Sequence, residues 1–356
     1  MLGQMDFPHR IEYKDFSIDG RQVVLDVASC EFMDVRPVVL DILKLGSYLD
    51  RERLFKKLLR RYTRIEIDSG VRTLLDYRRK GVFLDKDKIH PFIPPSTRQV
   101  NLRLNIANDC NLRCRYCFAD YMNSRGYMTK EVARKGVDFL LNYMGRARSA
   151  TIMFYGGEPL LNPGVIKEVI GYAGLKFKRA NKRIKFQLST NGTLLTRDMV
   201  DLFSRVNSTI YLSIDGPPRF NDLHRPFKNG KGSYKKATSC IPYLLKSMPS
   251  RVELCSVTTG FSPTLLETYN YLSRLGFPVI KIDQSLYSPD PRFGIQRLDL
   301  QRYEREYRSL VKGYGEDLRR GKMIILRPLD MVLRLRPGGC GIGRECVAIV
   351  PNGDVY

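Results

Sequence analysis

Asn108-Asp109-Cys110-Asn111-Leu112-Arg113-Cys114-Arg115-Tyr116-Cys117-Phe118 carries three of the chain's eight cysteines, spaced C-x3-C-x2-C. Just before it, Asn101-Leu102-Arg103-Leu104-Asn105-Ile106-Ala107 alternates polar and apolar residues, which predicts a strand. The cysteines therefore fall on the loop leaving that strand. Three thiolates on one short loop suit three corners of an iron–sulfur cluster, with the fourth iron left open to a ligand. Structural zinc asks for a fourth protein ligand, usually as paired C-x2-C or C-x2-C…H-x3-H units. No second cysteine pair or nearby histidine stands here. On spacing alone, a zinc site or a redox thiol site is the alternative.

From this loop onward the chain alternates strand and helix patterns, which predicts right-handed crossovers and a parallel sheet. Strands are expected at Asn101–Ala107, Thr151–Tyr155, Lys185–Thr190, Thr209–Ile214, Arg251–Thr258 and Val279–Asp283. Between them, helices are expected to start at Thr129, at Asn162-Pro163, at Thr196, at Ser233 and at Ser262-Pro263. Six steps are too few for a closed eight-step barrel. A long charged helix, Arg302 to Arg320, follows. Cys240 and Cys255 fall in a helix and a strand, where buried cysteines are ordinary.

Ligands of parallel βα folds bind at the carboxyl ends of the strands. The second strand here ends in Gly156-Gly157-Glu158-Pro159, where glycines admit close backbone approach and a carboxylate can accept from an ammonium group. The third ends in Ser189-Thr190-Asn191-Gly192, with groups for a ribose or a carboxylate, or simply for capping the next helix. The fourth ends in Ser213-Ile214-Asp215-Gly216-Pro217, followed by His224-Arg225-Pro226 and Gly230-Lys231-Gly232-Ser233-Tyr234.

The cysteine spacing, with an aromatic residue before the third cysteine, resembles the signature of radical S-adenosylmethionine (SAM) enzymes. The run from Ser213 to Tyr234 is similar to the S-x-D-G…H-x-x-R…G-x-G-S-[FY] pattern of the radical SAM peptide maturases. It departs from that pattern in having His224 and Arg225 adjacent. The resemblance implies a partial (β/α)6 barrel and a 4Fe–4S cluster held by Cys110, Cys114 and Cys117. It implies SAM bound by Gly156, Gly157, Glu158, Ser189, Asn191, Ser213 and Arg225. It also implies reductive cleavage of SAM to methionine and a 5′-deoxyadenosyl radical, which takes hydrogen from an unactivated carbon. An electron donor such as a flavodoxin or ferredoxin would be a partner.

Residues 1–95 read as a separate α+β unit. Glu12–Ile18 and Gln22–Val27 look like strands joined at Asp19-Gly20. Helical patterns follow at Pro37–Leu43, at Arg51–Tyr62, and from a Ser69 cap to Gly81, with a short strand at Val82-Phe83-Leu84. This is winged-helix-like. In the family resembled, such a module grips the leader of a precursor peptide by adding a strand to its sheet edge. His90–Ser96 is a proline-rich linker, so the barrel is expected over 96–330.

The stretch 331–356 holds Gly339-Cys340-Gly341-Ile342-Gly343-Arg344-Glu345-Cys346, then an Asn352-Gly353 hairpin signal. It resembles the opening of a SPASM domain, the accessory iron–sulfur domain of peptide-modifying radical SAM enzymes. On that pattern Cys340 would ligate an auxiliary 4Fe–4S cluster, and Cys346 lies too close to the hairpin. The next cysteine would follow almost at once, so the sequence is expected to be C-terminally incomplete. The whole is most similar to maturases that install thioether cross-links in six-cysteine (SCIFF) peptides. A formylglycine-forming sulfatase maturase, an RNA-modifying radical SAM enzyme and a non-catalytic peptide-binding protein are the alternatives.

Composition agrees with a globular enzyme: 43% of residues are hydrophobic. No apolar run reaches the length of a membrane span, and the polar start is no signal peptide. Eight cysteines without an export signal point to a reducing cytoplasm. The net charge of +23 would favour polyanions, but the basic residues are spread along the chain without an RNA-binding motif, so nucleic acid is not the expected partner.

Overall fold

The computed structural model describes residues 13–18, 20–26, 31–46, 49–79, 99–117, 126–285, 288, 290–294, 300–327, 329 and 346–355. The chain divides into two compact units, the first built on residues up to Pro95 and the second starting at Ser96.

In the first unit, β1 (Tyr13–Ile18), β2 (Arg21–Asp26) and β3 (Glu31–Val35) form an antiparallel sheet in that order. Ile18 pairs with Arg21 across a two-residue turn, where Gly20 takes φ +79°, as the Asp-Gly signal requires. β3 was not expected from sequence. Three helices follow, α1 (Pro37–Gly46), α2 (Arg51–Leu58) and α3 (Arg64–Arg79). They bury Val38, Ile42, Leu54, Leu58, Ile67, Val71 and Leu74 in one core with Val24, Met33 and Val35 of the sheet. Ser69 does not cap α3. The helix starts five residues earlier, because Thr63 and Glu66 satisfy each other's backbone: Glu66 N donates to Thr63 Oγ1 and Thr63 N to Glu66 Oε2. Ser69 instead accepts from Arg36 at 2.7 Å. Gly81, Val82–Leu84 and the linker His90–Ser96 lie outside the described residues.

The second unit is a parallel α/β sheet. Its strands are β4 (Gln99–Ala107), β5 (Ser149–Gly156), β6 (Arg183–Thr190), β7 (Ser208–Ser213), β8 (Val252–Thr258) and β9 (Val279–Gln284). The helices between them are α4 (Lys130–Tyr143), α5 (Pro163–Arg179), α6 (Arg197–Ser204), α7 (Pro218–His224), α8 (Tyr234–Ala237), α9 (Ile241–Ser247) and α10 (Leu265–Ser273). After β9 come α11 (Leu300–Arg319), β10 (Ile325–Arg327) and β11 (Cys346–Ile349). The strand order is β10-β9-β8-β7-β6-β5-β4-β11, with every pairing parallel. The six expected strands are thus neighbours in chain order, as a partial (β/α)6 barrel requires, and two short strands extend the edges. The C-terminal stretch enters this sheet: Cys346–Ile349 pairs with Asn101–Leu104, and Ile349 bridges back to Val355 around the Asn352-Gly353 turn.

Strand periodicity sorts the side chains into two faces. Leu102, Leu104, Ile106, Ile152, Phe154, Leu188, Ile210, Leu212, Leu254 and Ile280 are fully buried beneath the helices. Most alternate residues are polar, and several meet one another on the opposite face. Arg103 lies 4.5 Å over the Tyr155 ring, Gln187 donates to Tyr211, and Arg327 pairs with Glu253. The helix expected from Ser233 is broken into α8 and α9. Pro242 has no N–H for the carbonyl of Thr238 four residues back, so one continuous helix cannot form. The helix expected from Ser262-Pro263, α10, is capped by Thr264 with Glu267, not by Ser262. Among the described residues no helix is long and apolar enough to cross a membrane.

Candidate active site

The cysteine loop and the ends of β5, β6 and β7 meet at one place in the second unit. The contact with β5 is made by backbone. Gly157 N donates to Ala107 O at 2.8 Å and Glu158 N to Asp109 O at 2.9 Å, so Gly156-Gly157-Glu158 runs alongside the start of the loop. Side chains are excluded there. A Cβ on Gly156, which sits at φ +130°, would stand 2.2 Å from Ala107 O, and one on Gly157 2.2 Å from Asp109 O. This is the close approach for which the paired glycines were singled out.

Glu158 is fully buried. Its Oε1 accepts from Leu160 N at 3.0 Å and Thr190 Oγ1 at 2.8 Å, and its Oε2 from Asn191 N at 2.8 Å. Burial pushes its carboxyl up to about 7, outweighing the hydrogen bonds that favour the anion. Ser189 and Ser213 end β6 and β7 half-buried on the polar face, in register with Tyr211 and Cys255. The Asn191 side chain is committed to the cysteine loop. Its Nδ2 stands 3.7 Å from Cys110 Sγ and 2.9 Å from Asn111 Oδ1, while its Oδ1 accepts from Thr193 N and Oγ1.

Arg225 reaches the same place through a backbone pairing. Arg113 N donates to Pro226 O at 2.8 Å and Arg115 N to His224 O at 2.9 Å. Leu112 and Phe227 form an antiparallel bridge beside them. Arg225 is thereby set opposite Cys114. It is 8% exposed, and its Nε forms an ion pair with Asp215 Oδ2 at 2.9 Å. His224 is the fully buried last residue of α7, and its Nε2 stands 3.1 Å from Thr259 Oγ1. Burial holds it below its ordinary value, as a neutral ring.

The three thiols are free and half-buried. Burial pushes Cys110 up to about 11 and Cys114 up to about 12, with Arg225 drawing Cys114 back down. Among the described residues, no three His, Cys, Asp or Glu side chains converge as around a single ion. A four-iron cube is held by thiolates on separate corners, so convergence on one point is not required of its ligands. Two groups already donate toward Cys110 Sγ, Leu112 N at 3.4 Å and Asn191 Nδ2, as outer hydrogen bonds to a metal-bound thiolate do. The donor set and its surroundings fit the cluster. Cys340 lies outside the described residues. Cys346 starts β11 with a half-buried thiol that is in no disulfide.

Comparison with known proteins adds the decisive observation. Residues 104–269, from β4 into α10, match the model of the radical SAM superfamily. An uncharacterized protein of Methanocaldococcus jannaschii is 30% identical over 72% of this chain and 83% of its own length. The chain belongs to the radical SAM superfamily. This radical SAM enzyme is also 26% identical to the cysteine-type anaerobic sulfatase-maturating enzyme of Clostridium perfringens, over 70% of this chain and 71% of that one. Its fold matches solved structures: anSMEcpe with bound AdoMet, at TM-score 0.63 and 23% identity over 72% of this chain and 73% of that chain. Streptococcus suis SuiB bound to precursor peptide SuiA matches at TM-score 0.53 and 14% identity over 98% and 82%. The 4Fe–4S cluster and SAM are the cofactors of the superfamily.

Sequence reading did not single out Tyr116, Asp215 or Asn221, which bond to one another or to Arg225 here. Asp215 had a signal, being the aspartate of the S-x-D-G pattern. Tyr116 was noted only as an aromatic residue of the loop.

Proposed function

We propose that this radical SAM enzyme modifies a ribosomally made peptide or protein in the cytoplasm, forming thioether cross-links between cysteine sulfur and carbon. Cys110, Cys114 and Cys117 would hold the cluster. Gly156, Gly157 and Glu158 would take the amino group of SAM, and Arg225 its carboxylate, because a guanidinium fork binds that group bidentately. Ser189 and Ser213, half-buried on the polar side of the sheet, would contact the SAM ribose. Asn191 acts through Cys110, since its amide is already spent on the loop. Cys340 would serve an auxiliary cluster. With both bound, the cluster and SAM supply one-electron chemistry that removes hydrogen from an unactivated substrate carbon. The chain's own part is to hold SAM by both ends, to bury Glu158 and Arg225 away from water, and to shape the strand ends.

The observation that carries this reading is the meeting of the cysteine loop with the Gly-Gly-Glu turn and with Arg225. The three-stranded sheet of the first unit supports a leader peptide as partner, bound by strand addition. SuiB, a fold relative, was solved with a precursor peptide. A flavodoxin or ferredoxin would deliver the electron. A second reading, oxidation of a sulfatase residue to formylglycine, is favoured by the likeness to sulfatase-maturating enzymes.

The test uses anaerobically reconstituted full chain with dithionite, SAM and candidate precursor peptides, assayed by mass spectrometry. 5′-Deoxyadenosine from the parent and none from Cys110→Ala, Cys114→Ala or Cys117→Ala is expected. A peptide lighter by two hydrogens with a thioether supports cross-linking. A formylglycine product moves the assignment to the second reading. A loaded cluster that releases no 5′-deoxyadenosine overturns the site assignment.

A further inference from the structure

Asp215 has no part in the proposed function, yet it is the point on which several pieces of the site hang. Its carboxylate is fully buried just beyond the end of β7. Oδ2 accepts from the Tyr116 hydroxyl at 2.7 Å and pairs with Arg225 Nε at 2.9 Å, and Oδ1 accepts from Val257 N at 3.0 Å. The Asp215 backbone N donates to Asn221 Oδ1 in α7 at 3.2 Å. On the open side of the carboxylate stands the neutral His224 ring, 3.8 Å away and too far for a hydrogen bond.

A carboxylate taken out of water costs several kcal/mol unless donors replace its hydration. Here one carboxylate is held by three elements that are remote in sequence: the cysteine loop, the segment after α7, and β8. Arg225 meets Asp215 as an ion pair, Nε to Oδ2 at 2.9 Å, without the angle of a hydrogen bond at Nε. The closest approach is made by Nε, the nitrogen nearest the chain, so the charge of Asp215 anchors the base of the fork. The same oxygen fixes Tyr116, which lies between Cys114 and Cys117, and the Arg225 guanidinium lies 5.5 Å from the Tyr116 ring centre.

We propose that Asp215 is the positioning residue for SAM recognition, locking the Arg225 guanidinium and the Tyr116 phenol in one arrangement so that the remaining Arg225 donors meet the SAM carboxylate. This rests on the assignment of Arg225 to that carboxylate. It predicts that Asp215 and Arg225 act as one unit in binding.

The experiment is equilibrium binding of SAM to the full chain with its cluster loaded, by calorimetry, on the parent, Asp215→Asn, Arg225→Gln and the double variant. Iron and sulfide content and the Tm are measured alongside. Asparagine keeps the shape of Asp215 and removes its charge. Each single variant is expected to weaken SAM binding tenfold or more, with iron content unchanged. The double variant is expected to be no weaker than the weaker single one, as for groups acting through each other. During turnover the loss should appear in KM for SAM more than in kcat. If Arg225→Gln binds SAM as the parent does, the assignment of Arg225 fails. If Arg225→Gln is weakened but Asp215→Asn is not, or if the two losses multiply, Asp215 does not position Arg225. Loss of the cluster or of cooperative unfolding in Asp215→Asn alone would make Asp215 a structural anchor and overturn the proposal.

Discussion

Replacing Gly157 by alanine should empty the site before it unfolds the protein. The added Cβ would stand 2.2 Å from Asp109 O, 2.6 Å from Asp109 C and 3.2 Å from Cys110 Cβ. The first two atoms are backbone and cannot swing aside. The end of β5 and the cysteine loop must part by about 1 Å to restore ordinary contact. That movement breaks Gly157 N→Ala107 O and Glu158 N→Asp109 O. Each is worth about 1 kcal/mol net, and overpacking strain of about 1–3 kcal/mol adds to them. The total, about 3–5 kcal/mol, is a large part of the stability of an ordinary domain. It falls on the segment that carries Cys110. The assay is iron and sulfide content after anaerobic reconstitution, with SAM binding and thermal unfolding. Gly157→Ala should bind well under half of the parent's iron and lose about 10 °C of Tm. Gly164→Ala in α5 is the control, since a Cβ there meets nothing within 4 Å. Parent-like iron content and Tm in Gly157→Ala would refute the reasoning.

Other outcomes follow from the same geometry. Asn191→Ala removes a donor to Cys110 Sγ, and hydrogen bonds to sulfur favour the reduced cluster. Its midpoint potential should turn more negative, by of the order of 60 mV for a tenfold change in a one-electron equilibrium, read by EPR titration without SAM. Glu158 holds a proton in the folded cluster-free protein that the unfolded chain has released, between the ordinary 4.5 and about 7. The folded state binds more protons there, so stability falls as pH rises through that window and is level above it. Relative to the parent, Glu158→Gln should flatten the slope by up to about 1.4 kcal/mol per pH unit, seen in urea unfolding between pH 5 and 8. Phe203 is fully buried and packs edge-on to Phe154 at 6.1 Å. Phe203→Ala should cost about 3–5 kcal/mol in chemical denaturation.

The sheet was legible wherever its signal is local. Six strands, and the helix caps at Thr129 and Thr196, follow from periodicity and capping chemistry that act within one element. The C-x3-C-x2-C loop and the two glycines beside it were legible because their residue types have few other uses. What failed to read was decided by partners far away in the chain. β10 and β11, three and four residues long, are strands because β9 and β4 offer open edges, and nothing in such short runs announces it. Thr63 was passed over in favour of Ser69, since both are good caps and only Glu66 reaching back decides between them. Pro242 did carry a local signal for the break between α8 and α9, and the continuous apolar pattern obscured it.

The amino-acid sequence by itself determined the kind of site: three cluster thiols on the loop after a strand, paired glycines one step later, and an arginine after the fourth strand. Tertiary structure decided how those pieces act on one another. The backbone pairing of 113–115 with 224–226 sets Arg225 against Cys114 without the spacing seen in the family pattern. Burial raises Glu158, Cys110 and Cys114, and the fully buried Asp215 gathers Tyr116, Arg225 and β8. Desolvation and long-range pairing depend on what surrounds a residue once the chain has closed, and no window of sequence contains that.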